Sequence, residues 1–276
     1  MARHGIVTLL TDFGIRGPYV AAMKGALLRH CPAARIVDIC HDIEAHDVLQ
    51  ASFVLAQAAE HFPAGTVHVV VVDPGVGTGR EIIAAAFGQQ TYLFPDNGVI
   101  TMVAEAQPLQ AMAVVRNPKY LPSEQAVSST FHGRDLFAPL AGHLVRGTRI
   151  TDLGPMPETY KLIDVSKPFY DDDEIVGSVV YVDRFGNLIS NITARILSRR
   201  WPDPNDAEVL CDATPVGPVR ATYGQTDRGQ LLALINSMGL VEVAANTGRA
   251  CDVLGAGVGS EVRLRRRTPD PQRPAR

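Results

Sequence analysis

A change of rhythm partway along the chain limits its fold more than any other feature. In the first half, short apolar runs alternate with stretches of helical spacing. Residues 6–10 form an apolar run that stops at Thr11-Asp12-Phe13-Gly14, and Gly17-Pro18 then opens a helical pattern lasting to about His30. Proline is tolerated there because first-turn N–H groups have no partner within a helix. Residues 35–39 read as a second strand. Asp47 reads as the cap of a helix whose apolar positions are Val48, Ala51, Leu55, Ala59 and Phe62. Residues 67–72 are a buried strand halted by Asp73-Pro74-Gly75. This alternation predicts a mostly parallel sheet covered by helices on both faces. Beyond residue 174 the pattern changes: 175–182, 188–192, 207–211, 231–235, 240–244 and 261–265 are short strands with no long helix between them. The expected fold class is α/β, with an N-terminal, mostly parallel sheet flanked by helices and a C-terminal β-rich, antiparallel domain. The boundaries follow as an N-terminal domain over 1–165, a linker over 166–173, a C-terminal domain over 174–267 and a disordered basic tail over 268–276.

Charge and composition exclude several partners. The formal net charge of −3 conceals a split, because Arg263 to Arg276 hold six arginines and one aspartate. Proteins that bind a phosphate backbone spread their cations over a face of the fold, so nucleic acid is not an expected partner. A 46% hydrophobic content against 20% charged supports buried cores. No apolar run reaches the roughly 20 residues of a membrane-spanning helix, and 6–10 is too short for a signal-peptide core. A cytoplasmic protein without a membrane partner is the expectation. Cys31, Cys40, Cys211 and Cys251 lie far apart with no CxxC pair, which reads as free thiols.

Ligands of open parallel sheets bind beyond the carboxyl ends of the strands. Asp12, Asp73 and Asp96-Asn97-Gly98 each directly follow a predicted strand. Any one of them could simply shape a turn; three at one rim point to a site. The segment from Asp73 to Arg80 is glycine-rich but has neither the Gly-Lys-Ser/Thr of a phosphate loop nor GxGxxG order. It does place an acid and a base on one loop. His132-Gly133 opens a further helix, and His41, His46 and His132 lack metal-ligand spacing, so no metal is expected. In the second half, Asp183-Arg184-Phe185-Gly186-Asn187 joins two strands. An aromatic flanked by Asp and Asn suits stacking on a purine and reading its edge, or equally a turn with Phe packed beneath it.

As a set, several motifs resemble one family. They are Thr11-Asp12-Phe13-Gly14, Met23-Lys24-Gly25, Val37-Asp38-Ile39, the Val71-to-Thr78 loop, Phe94-Pro95-Asp96-Asn97-Gly98, Thr130 to Asp135 and Phe185-Gly186-Asn187. The family is the S-adenosylmethionine (SAM) hydroxide adenosyltransferases, adenosine-forming SAM hydrolases related to fluorinase and chlorinase. The resemblance implies SAM plus water giving adenosine and methionine, with SAM as substrate and no cofactor. It also implies a homotrimer with active sites at subunit interfaces. It puts the family's catalytic set on Asp73, Arg80 and His132, and the carboxylate holding the ribose hydroxyls on Asp12, beside Phe13. Asp183 would contact the methionine portion and Asn187 the adenine, next to the candidate stacking residue Phe185, and Ser237, Glu242 and the backbone at Ala244 would complete the pocket. Halogenating relatives have Tyr where this chain has Asp73 and Ser where it has Gly133, which opposes a halide-dependent transferase. His46 stands where the family usually has an aromatic, and Met238 where halogenases have Arg. A SAM- or adenosine-binding sensor is the alternative from a different class, and a metal-dependent hydrolase a third.

Overall fold

The computed structural model describes residues 5–267, and the expectation for the 268–276 tail lies outside the described residues. The chain divides between Ile163 and Asp164 into two units, each with its own core.

The first unit runs β1 (Ile6–Thr11), α1 (Tyr19–His30), β2 (Arg35–Cys40), α2 (Val48–Ala59), β3 (Val67–Val71), β4 (Ile82–Phe87), β5 (Gln90–Pro95), α3 (Thr101–Ala106), β6 (Leu109–Val114) and α4 (Ala138–Val145). Its six strands lie in the order β2-β1-β3-β5-β4-β6. The first four are parallel, while β4 runs antiparallel to both β5 and β6. Alternation along β1 explains the layering. Val7 and Leu9 pack with Met23, Leu27 and Leu140 of α1 and α4, whereas Leu10 packs with Ala51 and Leu55 of α2. A strand buried on both faces is mostly apolar, and β1 and β3 are so apart from Thr8, Thr11 and His68. Asp47 caps α2 as expected, its carboxylate accepting from the Gln50 N–H at 2.8 Å.

The second unit runs β7 (Phe169–Tyr170), β8 (Glu174–Val182), β9 (Leu188–Thr193), α5 (Ala194–Arg200), β10 (Ala207–Cys211), β11 (Thr214–Arg220), β12 (Leu231–Ile235), β13 (Leu240–Ala245), α6 (Ala250–Leu254) and β14 (Glu261–Arg266). Its eight strands form a sheet in the order β14-β10-β11-β12-β13-β9-β8-β7, and a further β14–β8 pairing closes it on itself. Every pair is antiparallel except β11–β12. Trp201, Leu188, Val243 and Leu264 fill the interior.

Candidate active site

The first site begins with register. Thr11, the last residue of β1, pairs with Val71, the last of β3. Asp12 and Asp73 therefore emerge side by side at the carboxyl edge of the sheet. The chain leaves β1 through α1 toward one edge and returns through α2 on the opposite face before β3. The β1–β3 gap is thus the point where strand order reverses, and crevices open at such points. A cavity of about 590 Å³ lies there, lined among others by Asp12, Phe13, His46, Asp73, Phe131 and His132.

Turns after Asp73 fold the glycine-rich loop back on itself. The Val76 N–H donates to the Asp73 carbonyl at 3.1 Å, and the Thr78 N–H and hydroxyl both donate to the Gly75 carbonyl. Gly77 has φ +76°, and a Cβ there would lie 2.4 Å from the Ser129 carbonyl oxygen. Glycine is what lets this loop lie against the 128–132 segment. Arg80 is returned to Asp73: its Nε donates to Oδ2 at 2.8 Å, and its Nη2 donates both to the same oxygen and to His132 Nδ1, the latter at 2.9 Å. Asp73 and Arg80 are almost fully buried. Asp73 Oδ1 is buried with no hydrogen-bond partner among the described residues. Burial, and then the Arg80 charge, pull the His132 imidazole below the ordinary histidine range, with Asp73 and Asp135 opposing. Its proton-free state is therefore favoured at neutral pH.

Asp12 is held differently. Its Oδ2 accepts the His46 backbone N–H at 3.0 Å, and His46 reaches that position in the left-handed region, at φ 69°. Phe13 is braced from the sheet interior. Thr11 Oγ1 accepts the Phe13 N–H and lies 2.8 Å from His41 Nδ1; His41 Nε2 lies 3.1 Å from Asp38, which Lys24 binds at 2.6 Å. The rings of Phe13, Tyr19 and Phe131 pack edge-on or tilted, with centroids 5.3 to 6.2 Å apart, and form an aromatic wall. A Cβ on Gly133 would sit 3.1 Å from the Phe13 ring and 3.4 Å from the Phe131 ring, so the wall closes where that side chain is missing.

In the second unit the β8–β9 hairpin carries Asp183, Phe185 and Asn187. Asp183 Oδ1 accepts the backbone N–H groups of Phe185 and Asn187, each at 2.9 Å, and Oδ2 accepts the Asn187 amide at 3.0 Å. Gly186 (φ +82°) packs so closely on Arg249 and Cys251 that no Cβ fits. Phe185 is left 73% exposed, which is unusual for so large an apolar ring. It lines a cavity of about 630 Å³ with Asn187, Tyr223, Ala245, Thr247 and Arg249. Ser237 lies exposed in the turn between β12 and β13, while Glu242 and Ala244 are buried in β13. Glu242 accepts from the Tyr223 hydroxyl at 2.7 Å and the Asn236 amide at 3.2 Å. Burial pushes its carboxyl above the usual glutamate range despite those bonds.

Models of two domains match the chain. The SAM hydroxide adenosyltransferase N-terminal domain covers residues 7–154 and the corresponding C-terminal domain covers 177–263. The chain belongs to the SAM hydroxide adenosyltransferase family. A Salinispora tropica relative named (R)-S-adenosyl-L-methionine hydrolase is 38% identical over 267 residues, 96% of this chain and 99% of that protein. A Thermus thermophilus relative of the same name is 37% identical, over 94% and 98% of the two chains. A Nocardia brasiliensis fluorinase is more distant, at 26% identity over 95% and 98%. The crystal structure of an uncharacterized conserved protein from Thermotoga maritima superimposes with a TM-score of 0.88 at 35% identity, covering 94% of this chain and all of that one.

The geometry gathers Asp12, Phe13, Asp73 and His132 around one cavity, with Arg80 hydrogen-bonded to Asp73 and His132, and Phe185 and Asn187 around another. Asp183 holds the hairpin beneath the second cavity, and Ser237, Glu242 and Ala244 do not line it. Asp96 lies off the rim site, its carboxylate accepting the Lys161 N–H at 2.7 Å, and Asn97 donates to the Val72 carbonyl. Among the described residues no group of three His, Cys, Asp or Glu is arranged to share a metal ion. Sequence reasoning passed over Tyr19, Phe131, Tyr223 and Thr247 as lining residues. Tyr19 is the first residue of an ordinary helix, with nothing in its neighbours to flag it. The Thr247-Gly248 turn directly after β13 was the one available signal.

Proposed function

We propose that this chain hydrolyses SAM at C5′, giving adenosine and L-methionine. The observation that carries this reading is the buried Asp73–Arg80–His132 array, with one Asp73 oxygen left unpartnered beside a cavity. The sulfonium leaves as a neutral thioether, so the reaction needs no general acid and no cofactor. It needs an in-line oxygen nucleophile and a site that sheds bulk water. Asp73 Oδ1 is the free acceptor for a proton of the attacking water. Arg80 can only donate, so His132 Nδ1 accepts from it and a neutral ring carries its proton on Nε2. His132 is therefore an N–H donor that orients the water and stabilises hydroxide character on it, not the base. The C–O bond forms as the C–S bond breaks, the bonding pair leaves with sulfur, and the water's second proton goes to Asp73.

The remaining assignments agree with this chemistry. Asp12 is held ready to accept from ribose hydroxyls, and Phe13, Tyr19 and Phe131 present π-faces and edges suited to a sulfonium cation. Exposed Phe185, with Asn187 and Tyr223, supports stacking and edge contacts to adenine. Asp183 would support the methionine end by fixing the hairpin. Exposed Ile15, Tyr19 and Phe185 support a homotrimer in which neighbouring subunits cover these sites. No helix among the described residues is long and apolar enough to cross a membrane, and a cytoplasmic location belongs to the same reading.

Incubation with SAM in ¹⁸O-labelled water tests the reaction. Adenosine labelled at its 5′ oxygen, with unlabelled methionine, is the expected outcome. Unchanged SAM retained by the protein would mean a sensor, and a 5′-halo product in chloride or fluoride a halogenase. Because the named relatives specify the R sulfonium, each epimer should be supplied separately. Light scattering of the purified protein tests the trimer.

A further inference from the structure

On the first unit, a cavity of about 520 Å³ opens between the end of α1, α4 and the 118–126 segment. Five cation-capable side chains line it: Arg29, His30, Lys119, His143 and Arg134, the last of which also lines the cavity between β1 and β3. The acid among its described lining side chains, Asp135, is already committed. Its oxygens accept from Arg134 Nε and Nη2 at 2.6 and 2.9 Å and from the Ser128 N–H at 2.9 Å. Arg29 and Lys119 have no carboxylate within ion-pair distance among the described side chains, and Lys119 lies over the Tyr120 ring. Two of the carbonyls at the end of α1 already have donors. Ala26 accepts from His30 Nδ1 at 3.1 Å and Leu27 from the Cys31 N–H. Burial, then the charges of His30, Arg146 and Lys119, hold the His143 imidazole below the ordinary histidine range.

Cations scattered on a convex surface are ordinarily solvated. Here they converge on a concavity within the size range of small-molecule sites. Part of its wall is apolar or aromatic, from Tyr120, Leu121 and Pro139, so a ligand that fits has an anionic head and a small apolar or aromatic body. We propose that this cavity is a second ligand site, distinct from the one between β1 and β3, that takes a small organic phosphate. Lys119 and Arg29 supply positive charge that no described carboxylate meets at ion-pair distance, and the His143 ring can offer a further N–H to phosphate oxygens.

Calorimetric titration of the full chain with phenyl phosphate, and separately with inorganic phosphate, tests this in phosphate-free buffer at two salt concentrations. The expected result is saturable binding of one phenyl phosphate per chain, weaker at the higher salt and tighter than inorganic phosphate. Arg29→Ala/Lys119→Ala should weaken it at least tenfold, and Arg29→Lys/Lys119→Arg should retain most of it, both melting at the wild-type temperature. Since neither residue lines the catalytic cavity, saturating adenosine should leave the binding intact. Absence of saturable binding to the wild type overturns the proposal. So does equal affinity in the alanine double variant, or displacement by adenosine, which would place the anion in the catalytic cavity.

Discussion

At His132 the proton arrangement follows from a neighbour: Arg80 donates to Nδ1, so any proton on the neutral ring is on Nε2. Protonating the ring would set two donors against each other and two cations side by side. Turnover should therefore fall as pH drops through the depressed His132 value, placing the acid limb below pH 6.5. His132→Ala should lose that limb and reduce kcat about 10²- to 10⁴-fold, with SAM affinity nearly kept; single-turnover rates across pH would check it, and wild-type turnover would overturn the assignment. His46 tests a backbone role. Its N–H holds Asp12 from φ 69°, a conformation that β-branched residues resist and asparagine tolerates. His46→Val should destabilise the protein by about 1–3 kcal/mol and raise KM for SAM, whereas His46→Asn should do neither; thermal melts with steady-state kinetics compare them.

At the scale of elements, the site is two loops and a helix entry held in contact. The Asp73-to-Arg80 loop touches the 128–132 segment through Gly77. Gly77→Ala should separate them, breaking the Arg80–His132 hydrogen bond, and lower kcat along with the melting temperature; an alanine variant of full activity would show that the contact is dispensable. The elements differed in how readable they were. β1 and β3 announce themselves because strands buried on both faces are mostly apolar runs, interrupted here by Thr8, Thr11 and His68. β4 went unread because Ile-Ile-Ala-Ala-Ala-Phe is rich in alanine, a weak strand former. β11 carries two prolines and a glycine, residues that argue against a strand, and pairing with β10 and β12 overrides them. The helix expected after Gly133 opens instead as a π-helical turn over Gly133–Phe137 before α4 begins. That widened turn, a form frequent at functional sites, carries the Arg134–Asp135 pair directly after His132.

For the whole molecule, acid stability rests partly on a histidine remote from the chemistry. His68 is buried in β3 beside Thr8 and stacked on Tyr92, and burial pulls its pKa down to about 4. The unfolded chain takes up this proton first, near pH 6.5, so the contribution is complete above that value. It is lost as pH falls toward 4, on the order of 3 kcal/mol. Denaturant melts between pH 7 and 4 should show the decline, and His68→Gln, though less stable at pH 7, should show a shallower one. By itself the sequence determined the two kinds of unit, the strands of continuous apolar character, and which polar residues stand at strand ends. Periodicity and turn chemistry are local, and solvent exclusion writes them into adjacent residues. Tertiary structure alone decided which of those polar residues meet. Asp73 and His132 are joined through Arg80 because sheet register and the turns after β3 bring together residues far apart in the chain, while Asp96, equally placed in sequence, is taken up by the Lys161 backbone.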